Sequence, residues 1–370
     1  MSDYYPRNAW YVAAWSVDLG NEKPFAISIL GEPIVIYRTA SGRLVALQDR
    51  CVHRLARLSL GRCEGERLRC MYHGLLFDAE GKVVEIPGQP QIPASARVRA
   101  FPAVERHSWV WVWMGEAAGA DEALIPEAVG LDHPDYILGH GQLDYAADGR
   151  LINDNLLDFS HLPYVHANSF RPSKDFAQVR PVITALPRGV RFERWVTGKQ
   201  AAGMLGEKPA ADAWVSYDFL APGVLLMWSG GFPVGTAEAC GFTRPDYSQA
   251  VSDVNFTSQA VTPLTARTSR YFFSWGPHCK HGDAALRDIL MGIAGQAFNE
   301  DKVMIEAQQE VIDQIPAPDI MPTTADKGIT IFTQVMRRLA RDGNAVTASA
   351  NHGQEAAAGA ADSSTGSSVP

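Results

Sequence analysis

Two short stretches, Cys51-Val-His53 and Cys70-Met-Tyr-His73, constrain the fold more than anything else in the chain. Each offers one thiol and one imidazole from a short turn, and the four side chains can serve one centre only if the two turns meet. The surrounding sequence reads as strands and tight turns. Ile34-Val-Ile-Tyr-Arg38 and Arg43-Leu-Val-Ala-Leu47 flank Ser41-Gly42, and Leu75-Leu-Phe77 and Lys82-Val-Val84 flank Asp78-Ala-Glu-Gly81, which predicts two hairpins. Ser108-Trp-Val-Trp-Val-Trp-Met114 is apolar on both faces and predicts a buried strand. Two cysteines and two histidines suit a [2Fe-2S] cluster in which imidazoles replace two thiolates on one iron. They also suit a structural zinc ion. Zinc sites usually pair like with like, so one donor of each kind per turn favours the cluster. Cys63, between the two turns, reads as a buried thiol.

A second concentration of donors lies a hundred residues on, in Asn155-Leu-Leu-Asp-Phe-Ser-His-Leu-Pro-Tyr-Val-His166. Residues three or four apart share a helix face, which predicts Asp158 beside His161 with Asn155 one turn earlier. Two neutral imidazoles and one carboxylate leave half an iron coordination sphere free for dioxygen. Residues 115 to 135, rich in Ala, Gly, Glu and Pro, read as an interdomain connection. Strand-like runs then recur from Gly189 to Trp275 and predict one antiparallel sheet. A long helix is predicted from about Asp283 to Gln314, with an apolar stripe of Leu286, Ile289, Leu290 and Ile293 continued by Val303, Ile305 and Val311. It carries Glu300, Asp301 and Glu306. A shorter helix over residues 330–341 follows, and the low-complexity tail 346–370 is expected to be disordered.

Composition closes off several classes. A net charge of -8 argues against nucleic acid as a partner. No apolar run approaches the roughly 20 residues of a membrane span, and the N-terminus lacks the plan of a signal peptide. Five scattered cysteines predict no disulfide framework and a reduced, cytoplasmic setting. His107, His133 and His140 have no donor at ligand spacing. His278 and His281 flank Cys279, but no second pair faces them in the sequence, so they read as a polar loop.

The first pair of stretches, with sixteen residues between His53 and Cys70, resembles the Rieske motif. The 155–166 stretch resembles the mononuclear iron motif of Rieske non-haem iron oxygenases, and the two stand in that family's order. Arg7-Asn-Ala-Trp-Tyr-Val-Ala13 and Ile86-Pro-Gly-Gln89 are similar to the vanillate O-demethylase branch. Val52 stands where the family mostly has proline, and Leu55 and Arg57 also depart from its cluster loop.

The resemblance implies an α+β chain. An all-β Rieske domain would span 1–125, and a helix-grip catalytic domain, an antiparallel sheet over a long C-terminal helix, 126–345. It implies that Cys51, His53, Cys70 and His73 hold a [2Fe-2S] cluster. His161 and His166 would hold Fe(II) with Asp301, which sits at the ligand position of Phe298-Asn-Glu-Asp-Lys302; Glu300 is the fallback. In the family a carboxylate at Asp158 bridges a cluster histidine and an iron histidine across a subunit boundary in a homotrimer, and Asn155 is a polar neighbour of the iron.

The implied activity is that of a terminal oxygenase. It would O-demethylate a methoxylated aromatic acid with O2 and release formaldehyde; hydroxylation of a ring or aryl methyl group is the alternative. No nicotinamide or flavin motif appears, so electrons from NADH would arrive through a separate flavin/iron-sulfur reductase or a ferredoxin. A Rieske electron carrier would end after one β domain and have no use for residues 155–166. Gln259 and Asn255, with Phe273 and Trp275, are the sheet residues expected to face the substrate, Gln259 as a hydrogen-bond donor to a carboxylate or phenol.

Overall fold

In a computed structural model, the described residues are 4–20, 23–172, 176, 178–199, 202–203, 206–207, 209–315 and 319–342. The tail 346–370 lies outside them. The chain opens with β1 (Trp10–Trp15), β2 (Phe25–Ile29), β3 (Glu32–Arg38) and β4 (Leu44–Gln48). Short strands follow: β5 (Arg62–Glu64), β6 (Arg67–Arg69), β7 (Leu76–Phe77) and β8 (Val83–Glu85). β9 (Ala100–Phe101), β10 (Ala103–Arg106) and β11 (Trp109–Trp113) close this half. They form three antiparallel sheets, ordered β1-β11-β10, β2-β3-β4-β9 and β5-β6-β7-β8. Both expected hairpins are present, β3–β4 and β7–β8. Every residue of β11 is buried, because both faces of its Trp-Val alternation find apolar partners.

The second half is built on β12 (Gly139–Tyr145), β13 (Val182–Leu186) and β14 (Gly189–Lys199), then a small hairpin of β15 (Ala202–Gly203) and β16 (Gly206–Glu207). β17 (Ala211–Leu220), β18 (Val224–Phe232), β19 (Ser252–Pro263) and β20 (Ser269–Pro277) complete it. Without the small hairpin these make one seven-stranded antiparallel sheet, ordered β12-β20-β19-β18-β17-β14-β13. Between β12 and β13 lie α1 (Gly149–Leu157) and α2 (Leu162–Val165); α3 (Thr236–Ala239) follows β18.

α4 (Ala284–Gln314) packs across β20 and β12, and a last helix, α5, spans 327–342. The Asp283 carboxylate accepts the Leu286 N–H and caps α4. Its buried stripe differs from the expected one. It runs through Leu290, Ala294, Ala297, Phe298, Asp301 and Ile305, whereas Ile289, Val303 and Val311 are exposed. Small alanines, invisible to a search for bulky residues, bring the helix close to the sheet.

The two halves share one core, in which Tyr11 and Val112 belong to the same cluster as Phe219, Phe298 and Ile305. Hydrogen bonds also cross between them. The Trp15 indole donates to the Gly141 carbonyl (3.1 Å) and the Thr262 hydroxyl to that of Val12 (2.6 Å). The N–H groups of Leu30 and Gly31 donate to the carbonyls of Pro263 and Leu264. Among the described residues no helix is long and apolar enough to cross a membrane.

Candidate metal centres and substrate cavity

Cys51 and Cys70 are buried free thiols at the base of two turns. Burial pushes the Cys51 thiol up, as does its contact with Cys70, while the backbone N–H groups of His53 and Arg54 aim at its sulfur and favour a thiolate. The rings of His53 and His73 lie 4.5 Å apart between centroids. The turns close on themselves: Cys51 N–H donates to the Ala56 carbonyl and Cys70 N–H to that of Leu75. Gly74 has φ +78°, and a Cβ there would meet Pro87 at 2.8 Å, so glycine is required. Leu55 also takes a left-handed conformation, φ 58°, at a cost of roughly 1–2 kcal/mol. This is the position where a glycine would be unstrained. Two buried thiols in contact and two adjacent imidazoles on the neighbouring positions of the same turns suit a [2Fe-2S] cluster.

The second centre is assembled from α1, the turn after it, and α4. The 155–166 stretch is not one helix. α1 ends at Leu157, and Asp158 is extended (φ -131°, ψ 96°), its carboxylate accepting the Ser160 N–H to cap a 3-10 turn over Phe159–His161. Asp158 still lies beside His161, but through its backbone: the His161 Nδ1–H donates to the Asp158 carbonyl at 2.5 Å. His166 Nδ1–H donates to Glu300 Oε2 at 2.9 Å. Both bonds fix the tautomer and leave each Nε2 lone pair facing Asp301 Oδ1, at 3.5 Å from His161 and 3.3 Å from His166. One donor atom from each of the three residues lies within 4.8 Å of the others. Burial holds His161 below the usual imidazole value, so it is a neutral donor. For His166 burial acts the same way, but the neighbouring carboxylates of Asp301 and Glu300 outweigh it and raise the value. Two lone pairs and a carboxylate aimed at one point suit Fe(II).

Asn155 donates its amide N–H to Asp301 Oδ1 at 3.1 Å and holds the carboxylate in place. Among the described residues it is Asp301, not the fallback Glu300, that comes together with His161 and His166. The Glu300 carboxylate is occupied by His166, by the Ser169 hydroxyl (2.6 Å) and by the Gln296 amide (3.0 Å). Ser169 was invisible in the sequence, since only folding brings it against a helix 131 positions away. Asp135, unforeseen opposite His278 and Cys279, comes close to both. There His278 Nδ1 accepts the Lys280 N–H, which puts the ring proton on Nε2, and the group remains a polar loop.

Asp154, also on α1, is raised to about 6 by burial, only partly offset by Arg150. A carboxyl group whose folded value is raised destabilises the native state as pH rises from about 4 through 6, and costs nothing below its unfolded value. Asp154→Asn should therefore raise stability by on the order of 1 kcal/mol at pH 7.5. Near pH 3 it should do nothing; paired thermal melts would check both.

A cavity of about 250 Å³ opens on His161, His166 and Asp301. Its walls are Phe159, Leu162, Phe170, Met227, Trp275 and Phe298, with Ser229, Thr257 and Gln259 as the polar side chains of the sheet. An apolar cavity of ~150 Å³ holds benzene, so this one holds a single substituted ring. Gln259 and Trp275 line it as expected. Asn255 does not: it lies nearer the start of β19, where its amide N–H donates to the Asp253 carbonyl at 3.0 Å. Phe273 is packed in the core against Phe298. Larger recesses of about 740 and 940 Å³ elsewhere contain none of these donors.

Comparison with known proteins agrees with this arrangement. Residues 9–102 match the Rieske [2Fe-2S] domain and 145–342 the vanillate O-demethylase oxygenase C-terminal domain. The chain is 36% identical to the iron-sulfur subunit of the toluene-4-sulfonate monooxygenase system of Comamonas testosteroni, over 92% of this chain and 99% of that one. It is 34% identical to a vanillate O-demethylase oxygenase subunit of a Pseudomonas species, over 84% and 95%. The crystal structure of dicamba monooxygenase bound to dicamba superposes with a TM-score of 0.79 at 28% identity, covering 92% of this chain and 98% of that one.

Proposed function

Because the chain belongs to the Rieske non-haem iron oxygenases, as an oxygenase component of the vanillate O-demethylase branch, we propose that it O-demethylates a methoxylated aromatic acid. The enzyme class is that of aromatic monooxygenase and O-demethylase systems, which use a [2Fe-2S] cluster, mononuclear iron, O2 and electrons from a separate reductase. The observation that carries the reading is a single-ring, aromatic-walled cavity lying directly on His161, His166 and Asp301. Cys51, His53, Cys70 and His73 would hold the cluster, and those three residues the iron. When bound, the two centres supply electrons one at a time and activate dioxygen.

The chain's own residues do the rest. Asn155 and Glu300 fix the donors, and Phe170, edge-on to His166 at 5.0 Å, keeps water from that side. Oxygen inserted into a methoxy C–H gives a hemiacetal, which collapses to a phenol and formaldehyde; the second oxygen atom leaves as water with two electrons and two protons. The similarity to toluene-4-sulfonate monooxygenase subunits favours a second reading, hydroxylation of an aryl methyl group or ring. Turnover with methoxybenzoates and a reductase should yield formaldehyde in step with phenol. Hydroxylated product without formaldehyde would move the assignment to the second reading.

A homotrimer in a reduced cytoplasm fits the surface and the free thiols. The two cluster histidines are exposed and ringed by Leu55, Leu60, Met71 and Tyr72, each more than half exposed, while Tyr164 is 80% exposed beside His161. Such apolar collars mark contact surfaces, and unlike patches meeting head to tail close a ring.

A further inference from the structure

We propose that Gln259 selects substrates carrying a neutral hydrogen-bond donor, a phenolic hydroxyl or an N–H. The proposal rests on the iron-site cavity being the substrate site and narrows what enters it. Gln259 is buried in the floor of that cavity, and its Oε1 has no hydrogen-bond partner. The orientation of the amide follows from its neighbours. The Thr257 hydroxyl donates to the Ser274 carbonyl at 2.5 Å, so its oxygen can only accept from Gln259. Gln259 therefore turns its Nε2 towards Thr257, at 3.4 Å, and its carbonyl is left over. A buried acceptor without a donor costs about 1–3 kcal/mol, which a bound hydroxyl or N–H would recover.

The other polar groups of the lining are already committed as donors. The Ser229 hydroxyl donates to the Asp253 carbonyl and the Asn155 amide to Asp301. A carboxylate or sulfonate oxygen set against Gln259 Oε1 would face another acceptor, so the acid group of an aromatic acid lies elsewhere in the site. Gln259 thus acts as an acceptor, where the sequence suggested a donor to a carboxylate or phenol.

Calorimetric titration of the oxidised, metal-loaded full chain with 2-methoxyphenol and 1,2-dimethoxybenzene tests this. The phenol should bind about tenfold or more tightly than the diether. Gln259→Met, which keeps the chain length and removes the carbonyl, should level the two while iron content and the cluster spectrum stay unchanged. Equal binding of the two probes, no binding of the phenol, or a phenol preference that survives in Gln259→Met would overturn the assignment. Formaldehyde assays on the same samples separate the two readings. Phenol-selective binding without formaldehyde removes demethylation alone, whereas equal kcat/KM for 2-methoxyphenol and 1,2-dimethoxybenzene removes the role of Gln259 alone.

Discussion

Asp301→Ala is expected to lower the iron content from about three to about two atoms per chain and to abolish oxygenation, with the cluster's visible spectrum intact. Asp301 supplies the one negative charge on which both Nε2 atoms converge, and it is buried. Without it two neutral imidazoles remain, too few to retain Fe(II). Asn155, deprived of its acceptor, adds to the disorder of the site. The cluster donors lie on β-turns of the other half and touch none of these groups. Glu300→Gln should act in the same direction but more weakly, by ~10–100-fold in iron affinity, because it holds His166 rather than the metal. Iron and acid-labile sulfide analysis beside the absorption spectrum measures all of this. An Asp301→Ala protein that keeps its third iron and turns over would remove Asp301 from the ligand set.

Asp158→Asn is expected to leave both metal centres and the fold in place while slowing electron transfer between them by orders of magnitude. The amide can still accept the Ser160 N–H through its oxygen, and the bond from His161 goes to the Asp158 backbone carbonyl, which the substitution does not touch. Only the charge is lost. In the proposed ring that carboxylate would meet the exposed His73 of a neighbouring copy, where a partly buried charge between donors is stabilised only while they are present. Single-turnover mixing of the reduced protein with substrate and dioxygen reads the rate of cluster reoxidation. A mutant cluster that reoxidises as fast as the parent's would rule Asp158 out as the bridge, and a native monomer that turns over would rule out the ring.

What could be read in the sequence and what could not follows from range. Turn chemistry is local, so the hairpins at Ser41-Gly42 and Asp78–Gly81 were legible, and so was the start of the long helix near Asp283. The break at Asp158 is local too, but a helical reading of the spacing to His161 hid it. The position of Asp301 in the buried stripe of α4 was obscured because Ala294 and Ala297 mark the same face more quietly than Ile289 or Val303. Contacts such as Ser169 with Glu300, or the Thr257 hydroxyl that orients Gln259, depend on which strands and helices become neighbours. Nothing in the residues' own spacing announces them.

The hydrogen bonds that tie Val12, Leu30 and Gly31 to β19 and its following turn leave the joint without a hinge. A swinging domain cannot carry charge here, so each electron must tunnel across a gap whose width is set when the chain folds. The same stitching makes the halves melt together. Calorimetry should show one transition, and a chain cut between β11 and β12 should yield two insoluble pieces rather than two working modules.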